Sequence, residues 1–102
     1  MQAVKWYKAA AEQGDADAQF YLGNMYYKGQ GVKQDYAQAV KWHKAAAKQG
    51  NARGQAFLGV MYLFGEGVPQ NYQLAKEWFG KACDNGYQPA CDLYRKLNEQ
   101  GK

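Results

Sequence analysis

The chain contains no serine, no threonine and no isoleucine. Without serine or threonine it has no aliphatic hydroxyl nucleophile, which excludes the serine-based catalytic triads and the Ser-Lys arrangement of β-lactamases. With no threonine or isoleucine and only five valines, few residues favour β-strands. One histidine and two cysteines are too few for a metal site, and their spacing is wrong for one. The sequence therefore predicts neither an enzyme nor a bound metal or cofactor.

Long apolar runs are missing as well. No stretch approaches the ~20 apolar residues that cross a membrane, and the first residues, MQAVKWYKAA, lack the apolar segment of a signal peptide. The net charge is +4, and the lysines are spread along the chain rather than clustered. A mild, dispersed charge favours solubility over nucleic-acid binding. We therefore expect no membrane span and no nucleic-acid partner.

What the chain does contain is a repeat. Trp6, Trp42 and Trp78 follow one another at intervals of 36 residues. The segment YLGNMYYKGQGVKQDYAQAVKW returns one interval later as FLGVMYLFGEGVPQNYQLAKEW. Alanine, glutamine, lysine, leucine and methionine dominate, and these residues favour helix. A period of this length in a helical chain is typical of stacked helix pairs, so we predict one all-α domain over residues 1–102.

Each repeat unit resolves into two helices, which we call A and B. Asp15 is a good N-cap for helix A, and Gly29 can end it in the left-handed conformation. Asp35 can cap helix B. We predict about six helices in four segments: an orphan helix B over residues 1–14, repeats over 15–50 and 51–86, and a capping helix A over 87–102.

Two glycines stand in the middle of helix A, where glycine is unfavourable by about 0.5–1 kcal/mol relative to alanine. Gly23 and Gly59 occupy the same place in the two copies, which indicates close approach of another helix. We expect Trp42 and Trp78 to be the bulky partners. His43 stands where the other copies have tyrosine or phenylalanine, and we interpret it as a surface or boundary residue.

These features resemble the Sel-one-like repeat (SLR) family, whose members are α/α solenoids related to tetratricopeptide repeats. The resemblance covers nearly the whole chain and implies a right-handed solenoid that acts as a scaffold for other proteins, often in bacterial envelope, signalling or host-contact pathways. The period and the Gly-x-Gly-Val turn fit tetratricopeptide repeats less well. The residues that carry the resemblance are Ala39, Trp42, Ala45, Ala46, Gly50, Ala52, Leu58, Gly59, Met61, Tyr62, Gly65, Gly67 and Val68.

A binding surface is suggested by comparing the two copies of helix A. Identical residues crowd one side of the helical wheel, which we assign to packing, and the residues that differ crowd the other side. In solenoids of this kind helix A commonly lines the concave groove. The alternative is that the differing residues are plain surface or inter-repeat packing. Our candidate binding residues for a protein or peptide are Phe20, Asn24, Tyr27, Lys28, Val60, Leu63 and Phe64.

The two cysteines stand at the end of one helix B and the start of the next helix A. Antiparallel helices across a short turn can bring Cys83 and Cys91 within disulfide range, below about 7 Å between Cα atoms; two buried thiols are the alternative. A redox-active pair would favour C-x-x-C spacing. The same spacing resembles the cysteine-rich SLR proteins, where it marks a disulfide within the repeat. An oxidised pair favours a periplasmic or secreted location and a reduced pair a cytoplasmic one.

Two functions from different classes follow. The first is an adaptor that holds a peptide or protein segment on the concave face. The second is a structural or oligomerisation segment of a longer SLR protein, because the orphan helix B leaves an apolar end that can pair with another copy. The resemblance to cysteine-rich members makes β-lactam binding or hydrolysis a distant alternative. A basic stripe on the B helices, which we interpret as a solvated face, comprises Lys5, Lys8, Lys41, Lys44 and Lys48.

Overall fold

The computed structural model describes residues 2–102 and arranges them as six α-helices, with no β-strand in that range. Each helix packs mainly on the helices before and after it in the chain, so the molecule is an elongated stack of 44 × 24 × 17 Å. The first, third and fifth helices are of type B, and the others are of type A. The helices are α1 (Gln2–Glu12), α2 (Ala16–Lys28), α3 (Tyr36–Lys48), α4 (Ala52–Phe64), α5 (Tyr72–Asp84) and α6 (Gln88–Glu99).

Side-chain caps begin four of these helices. Asp15 and Asp35 accept hydrogen bonds from the backbone amides three residues later, at 2.9 and 3.1 Å, as the sequence predicts. Asn51 and Asn71 cap α4 and α5 in the same way. Helix α6 has no side-chain cap, but Pro89 lies in its first turn, where its missing N–H is not needed. Local sequence therefore sets where the helices start.

The mid-helix glycines do allow close helix packing, but the prediction of their partners was wrong. A Cβ atom added to Gly23 would lie 2.9 Å from the His43 ring, and one added to Gly59 would lie 2.8 Å from the Phe79 ring. The rings that fill these places stand one residue after Trp42 and Trp78. Trp42 packs instead in a cluster with Ala11, Ala18 and Leu22. Helices α3 and α5 are therefore rotated about their axes so that the residue after each tryptophan, and not the tryptophan itself, faces the glycine.

Buried glutamines connect two of the A helices, α2 and α4, to the preceding helix B. The side-chain amide of Gln19 donates to the carbonyl of Ala11 at 3.1 Å, and Gln55 donates to the carbonyl of Ala47 at the same distance. Both glutamines are buried, where an unpaired amide costs about 1–3 kcal/mol. The bond therefore fixes the end of one unit against the start of the next.

The same glutamines also accept hydrogen bonds from the following helix B. Gln49 donates to Oε1 of Gln19, and Asn85 donates to Oε1 of Gln55, each at 2.9 Å. Each glutamine thus joins three consecutive helices. These repeated polar contacts set the spacing between units along the stack.

Candidate peptide-binding surface

We call the exposed side of α2 and α4 the A surface, and it holds most of the predicted binding residues. Lys28 and Phe64 are exposed, and Phe64 has 65% of its surface open to solvent. Asn24, Tyr27, Val60 and Leu63 are partly buried. Val60 and Leu63 also pack against the core cluster that contains Phe79. The A surface is therefore a mixed apolar and polar strip with Phe64 as its most exposed large side chain.

Phe20 does not belong to this surface, and its prediction as a binding residue was wrong. Only 5% of Phe20 is exposed. Its ring lies 5.5 Å from the Phe57 ring and 5.7 Å from the His43 ring, and the Arg53 guanidinium lies over it at 5.7 Å. The residue differs between copies because Ala56 replaces it against a different neighbour. Variation between copies therefore does not by itself indicate a free surface.

His43 is buried as well, contrary to the surface or boundary position expected for it. The ring is fully buried and stacks on Phe57, with ring centroids 5.4 Å apart. Neither ring nitrogen has a hydrogen-bond partner among the described residues. Burial lowers the pKa of His43 from 6.5 to about 4, because the charged imidazolium loses its hydration. His43 is therefore a neutral core ring at pH 7.

The first groove is defined by Tyr27, Tyr36 and Glu66, where the ends of α2 and α4 approach each other. The Tyr27 ring lies 5.2 Å from the Tyr36 ring, and its hydroxyl donates to Oε1 of Glu66 at 2.8 Å. Burial, followed by the hydrogen bond and charge of Glu66, raises the pKa of Tyr27 to about 12. The Tyr27 side chain thus occupies this groove and joins the first repeat to the second.

The second groove is defined by Leu63, Tyr72 and Lys102, which stand one period later at the same three places. Here a cavity of about 260 Å³ lies between α4 and α6. The Lys102 ammonium lies 4.6 Å from the centre of the Tyr72 ring. Phe64 also lines this cavity. The structure therefore brings two predicted residues, Leu63 and Phe64, into one concave site.

Several residues of these grooves were missed by the sequence interpretation. Tyr36 and Tyr72 are identical in the two copies and begin helix B, whereas the search for a binding surface compared only the two copies of helix A. Glu66 lies within the Gly-x-Gly turn, where the equivalent residue is Gln30. A residue that changes inside an otherwise repeated turn was the available signal.

Cys83 and Cys91 form a disulfide in the structure, with Cα atoms 4.7 Å apart. The predicted proximity is thus confirmed. The pair stands where the two earlier units have the Gln–carbonyl hydrogen bonds of Gln19 and Gln55. A covalent link therefore takes the place of a hydrogen bond in the last unit.

Other surfaces carry less chemistry. The five lysines of the B helices are exposed, as expected for a solvated face. Residues 2–102 contain no group of His, Cys, Asp and Glu side chains that could hold a metal ion. No helix in the same range has both the length and the apolar character needed to cross a membrane.

Antiparallel helix pairs at a constant period, packed mainly on their neighbours, define an α/α repeat protein. Three consecutive matches to the Sel1 repeat cover residues 1–15, 16–51 and 52–87. The chain therefore belongs to the Sel1 repeat family, as the resemblance to SLR proteins implied. Proteins of this kind are repeat scaffolds for protein interaction and are generally not enzymes.

Solved structures agree with this assignment. The crystal structure of c5321, a protective antigen present in uropathogenic Escherichia coli strains and displaying an SLR fold, is 44% identical, with a TM-score of 0.95 over 98% of this chain and 21% of that chain. A Sel1 repeat protein from Oxalobacter formigenes is 38% identical, with a TM-score of 0.92 over 96% of this chain and 40% of that one. Helicobacter pylori cysteine rich protein B is 29% identical, with a TM-score of 0.84 over 88% of this chain and 68% of that one.

This chain thus spans about a fifth of the first of these structures and two fifths of the second. No curated protein sequence matches it significantly.

Proposed function

We propose that this chain is a non-enzymatic scaffold that holds a peptide or protein segment on its A surface. The observation that carries the proposal is the exposed Phe64 side chain at the edge of a concave, largely apolar site formed with Leu63. An exposed aromatic residue beside a pocket is the usual form of a binding hot spot. Lys28, Asn24 and Val60 extend the surface along α2 and α4.

The test is a selection of binding peptides from a random display library, followed by mapping on the ¹⁵N-labelled chain by NMR. We expect the selected peptides to shift the amide signals of Asn24, Lys28, Val60 and Phe64. Peptides that shift only the B-helix lysines, or a library that yields no binder, would refute the proposal.

A second candidate function, self-association through α1, is supported by a separate observation. Trp6 has 69% of its surface exposed and contacts Tyr7, whose ring lies 5.4 Å from the Tyr21 ring. In the third helix the equivalent Trp42 is buried beneath α2. The exposed Trp6 surface therefore has the shape of a site that a helix of another chain can cover.

Two exposed aromatic residues provide a matched pair of variants that separates the two candidates. Phe64→Ala should weaken the binding of selected peptides about tenfold, as expected for a hot-spot aromatic, and leave the mass in solution unchanged. Trp6→Ala should lower the mass measured by light scattering if the chain self-associates, and leave peptide binding unchanged. A wild-type chain that is monomeric at the concentrations used would rule out the second candidate.

A further inference from the structure

The two grooves of the A surface are equivalent in backbone and different in contents. In both, a glutamine donates to the carbonyl of the residue at the groove, Gln34 to Tyr27 at 2.9 Å and Gln70 to Leu63 at 2.8 Å. In both, the backbone amide of the residue after the helix-ending glycine closes the same turn. The Glu66 amide donates to the carbonyl of Met61 in the first groove, and the Lys102 amide donates to the carbonyl of Leu97 in the second, each at 2.9 Å. The difference between the grooves therefore lies in side chains only.

Those side chains leave the second groove open. Leucine replaces Tyr27 at position 63, so the place taken by a phenol ring in the first groove becomes part of the 260 Å³ cavity. Tyr72 keeps the place of Tyr36 and forms an aromatic wall of the cavity, with the Lys102 ammonium lying over its ring. The walls are completed by apolar residues that include Phe64 and Leu97. The first groove thus shows what fits the second, namely one aromatic side chain.

The charge at the rim is also reversed. Glu66 accepts a hydrogen bond from the Tyr27 hydroxyl in the first groove, whereas Lys102 stands at that place in the second. The charged side chains that line the second groove are Lys96 and Lys102, and neither forms a salt bridge with a side-chain carboxylate within residues 2–102. The backbone carbonyl of Lys102 accepts a hydrogen bond from the Lys76 ammonium at 2.7 Å. The acidic residues Asp92 and Glu99 of α6 contact Arg95 instead. A ligand that places a negative charge beside its ring therefore suits this rim.

We propose that the second groove binds an acidic peptide segment through one aromatic side chain, which takes the place that Tyr27 takes in the first groove. Carboxylates of flanking Asp or Glu residues lie against Lys96 and Lys102. This inference rests on the proposed function, because it names the chemistry of the segment that the A surface holds.

The probe is the peptide Gly-Glu-Phe-Glu-Gly with both ends blocked, titrated by NMR and by fluorescence. We expect saturable binding at one site per chain that shifts the methyl signals of Leu63 and Leu97 and weakens as salt is raised. Replacing the phenylalanine of the peptide by alanine should weaken binding at least tenfold, which is what burial of one aromatic side chain provides. Replacing both glutamates by glutamine should weaken it severalfold.

Variants that exchange side chains between the two grooves give the decisive comparison of peptide binding, because the backbone is equivalent in both grooves. Leu63→Tyr combined with Lys102→Glu rebuilds the Tyr27–Glu66 pair and should abolish binding while the far-UV circular dichroism stays unchanged. Tyr27→Leu combined with Glu66→Lys and Val60→Lys, which supplies the counterpart of Lys96, should open a second site and raise the stoichiometry from one peptide to two. Lys44→Glu, on helix α3, serves as a charge control and should leave binding unchanged at high salt.

Three results would overturn the proposal. The first is no binding by the acidic peptide, with the Leu63 methyl signals of the wild-type chain unmoved at millimolar peptide. The second is binding that survives the Leu63→Tyr/Lys102→Glu change in a folded chain. The third is equal or tighter binding by Gly-Gln-Phe with a free carboxyl end, which would make the ligand a chain terminus rather than an acidic segment. If library peptides of other composition still map to the A surface, the proposed function stands although this inference fails.

Discussion

His43 should make the stability of this chain depend on pH between pH 7 and pH 4. Its ring is fully buried, stacks on Phe57 and faces Gly23, and no charged partner stabilises its protonated form. At pH 7 and above most imidazoles are neutral in both the folded and the unfolded chain. Below that pH the unfolded chain binds a proton that the folded chain does not, so unfolding becomes more favourable.

The size of the effect follows from the two pKa values. The pKa is 6.5 in the unfolded chain and about 4 in the folded chain, and one pKa unit corresponds to about 1.4 kcal/mol. The free energy of unfolding should therefore fall by about 3 kcal/mol between pH 6.5 and pH 4, with about 2 kcal/mol of this lost by pH 5. For a domain of this size, 2 kcal/mol lowers the melting temperature by about 10 °C.

The assay is urea unfolding followed by circular dichroism at pH 7, 6 and 5, with His43→Phe as the matched variant. Phenylalanine fits because Phe79 occupies the equivalent place beneath Gly59. The variant should lose the pH dependence over this range, and it should gain about 1–3 kcal/mol at pH 7 because two unpaired buried nitrogens are removed. A wild-type chain that loses less than about 0.5 kcal/mol by pH 5, or a variant that loses as much as the wild type, would refute the reasoning.

Two further predictions concern the contacts between helices. Gly59→Ala places a methyl group 2.8 Å from the buried Phe79 ring, whereas a methyl at Gly80 lies 3.3 Å from the ring of Tyr94, which is exposed. We expect the first change to lower the free energy of unfolding by about 1–3 kcal/mol, and the second to leave it almost unchanged or raise it. Reduction of Cys83–Cys91 should lower the stability by about 2.5 kcal/mol on the chain-entropy model. The Cys83→Ala/Cys91→Gln variant should be about 1 kcal/mol more stable than the double alanine variant, because it restores the hydrogen bond of the earlier units. Urea unfolding measures the stability change in each case. Equal stability of Cys83→Ala/Cys91→Gln and Cys83→Ala/Cys91→Ala would mean that the Gln–carbonyl hydrogen bond does not contribute.

The fold could be predicted because its information is local and repeated. Asp15 and Asp35 cap the helices that were expected to follow them, and Gly29 and Gly65 end helices in the left-handed conformation. A constant interval between equivalent residues then requires equivalent units to stack. Caps, ends and period are each determined by residues close together in the chain, so no long-range information was needed.

The rotation of each helix was not predictable to within one residue. Trp42 and His43 are neighbours, so both lie on the buried side of α3, and composition alone favoured the larger and more apolar ring as the partner of Gly23. Position 43 carries a ring in all three copies, as Tyr7, His43 and Phe79, which indicates that His43 is buried. The tryptophan position also carries a ring in all three copies, so this pattern does not decide which of the two neighbours faces Gly23. When every copy has an aromatic ring at one position, although the residue is apolar in one copy and titratable in another, the shared ring indicates burial more strongly than the polarity of any single copy.

The candidate site was only partly predictable for a related reason. Residues that bridge units, such as Gln19 and Gln55, contact helices on both sides, and a change at either would leave a buried polar group unpaired. Residues on the A surface have fewer such demands, so Tyr27 and Leu63 can differ. Phe20 differs too, yet it is buried, because its neighbours changed with it. Difference between copies thus marks positions where the fold permits a change, and only the side chains around each position decide whether the change fills a groove, as Tyr27 does, or leaves one open.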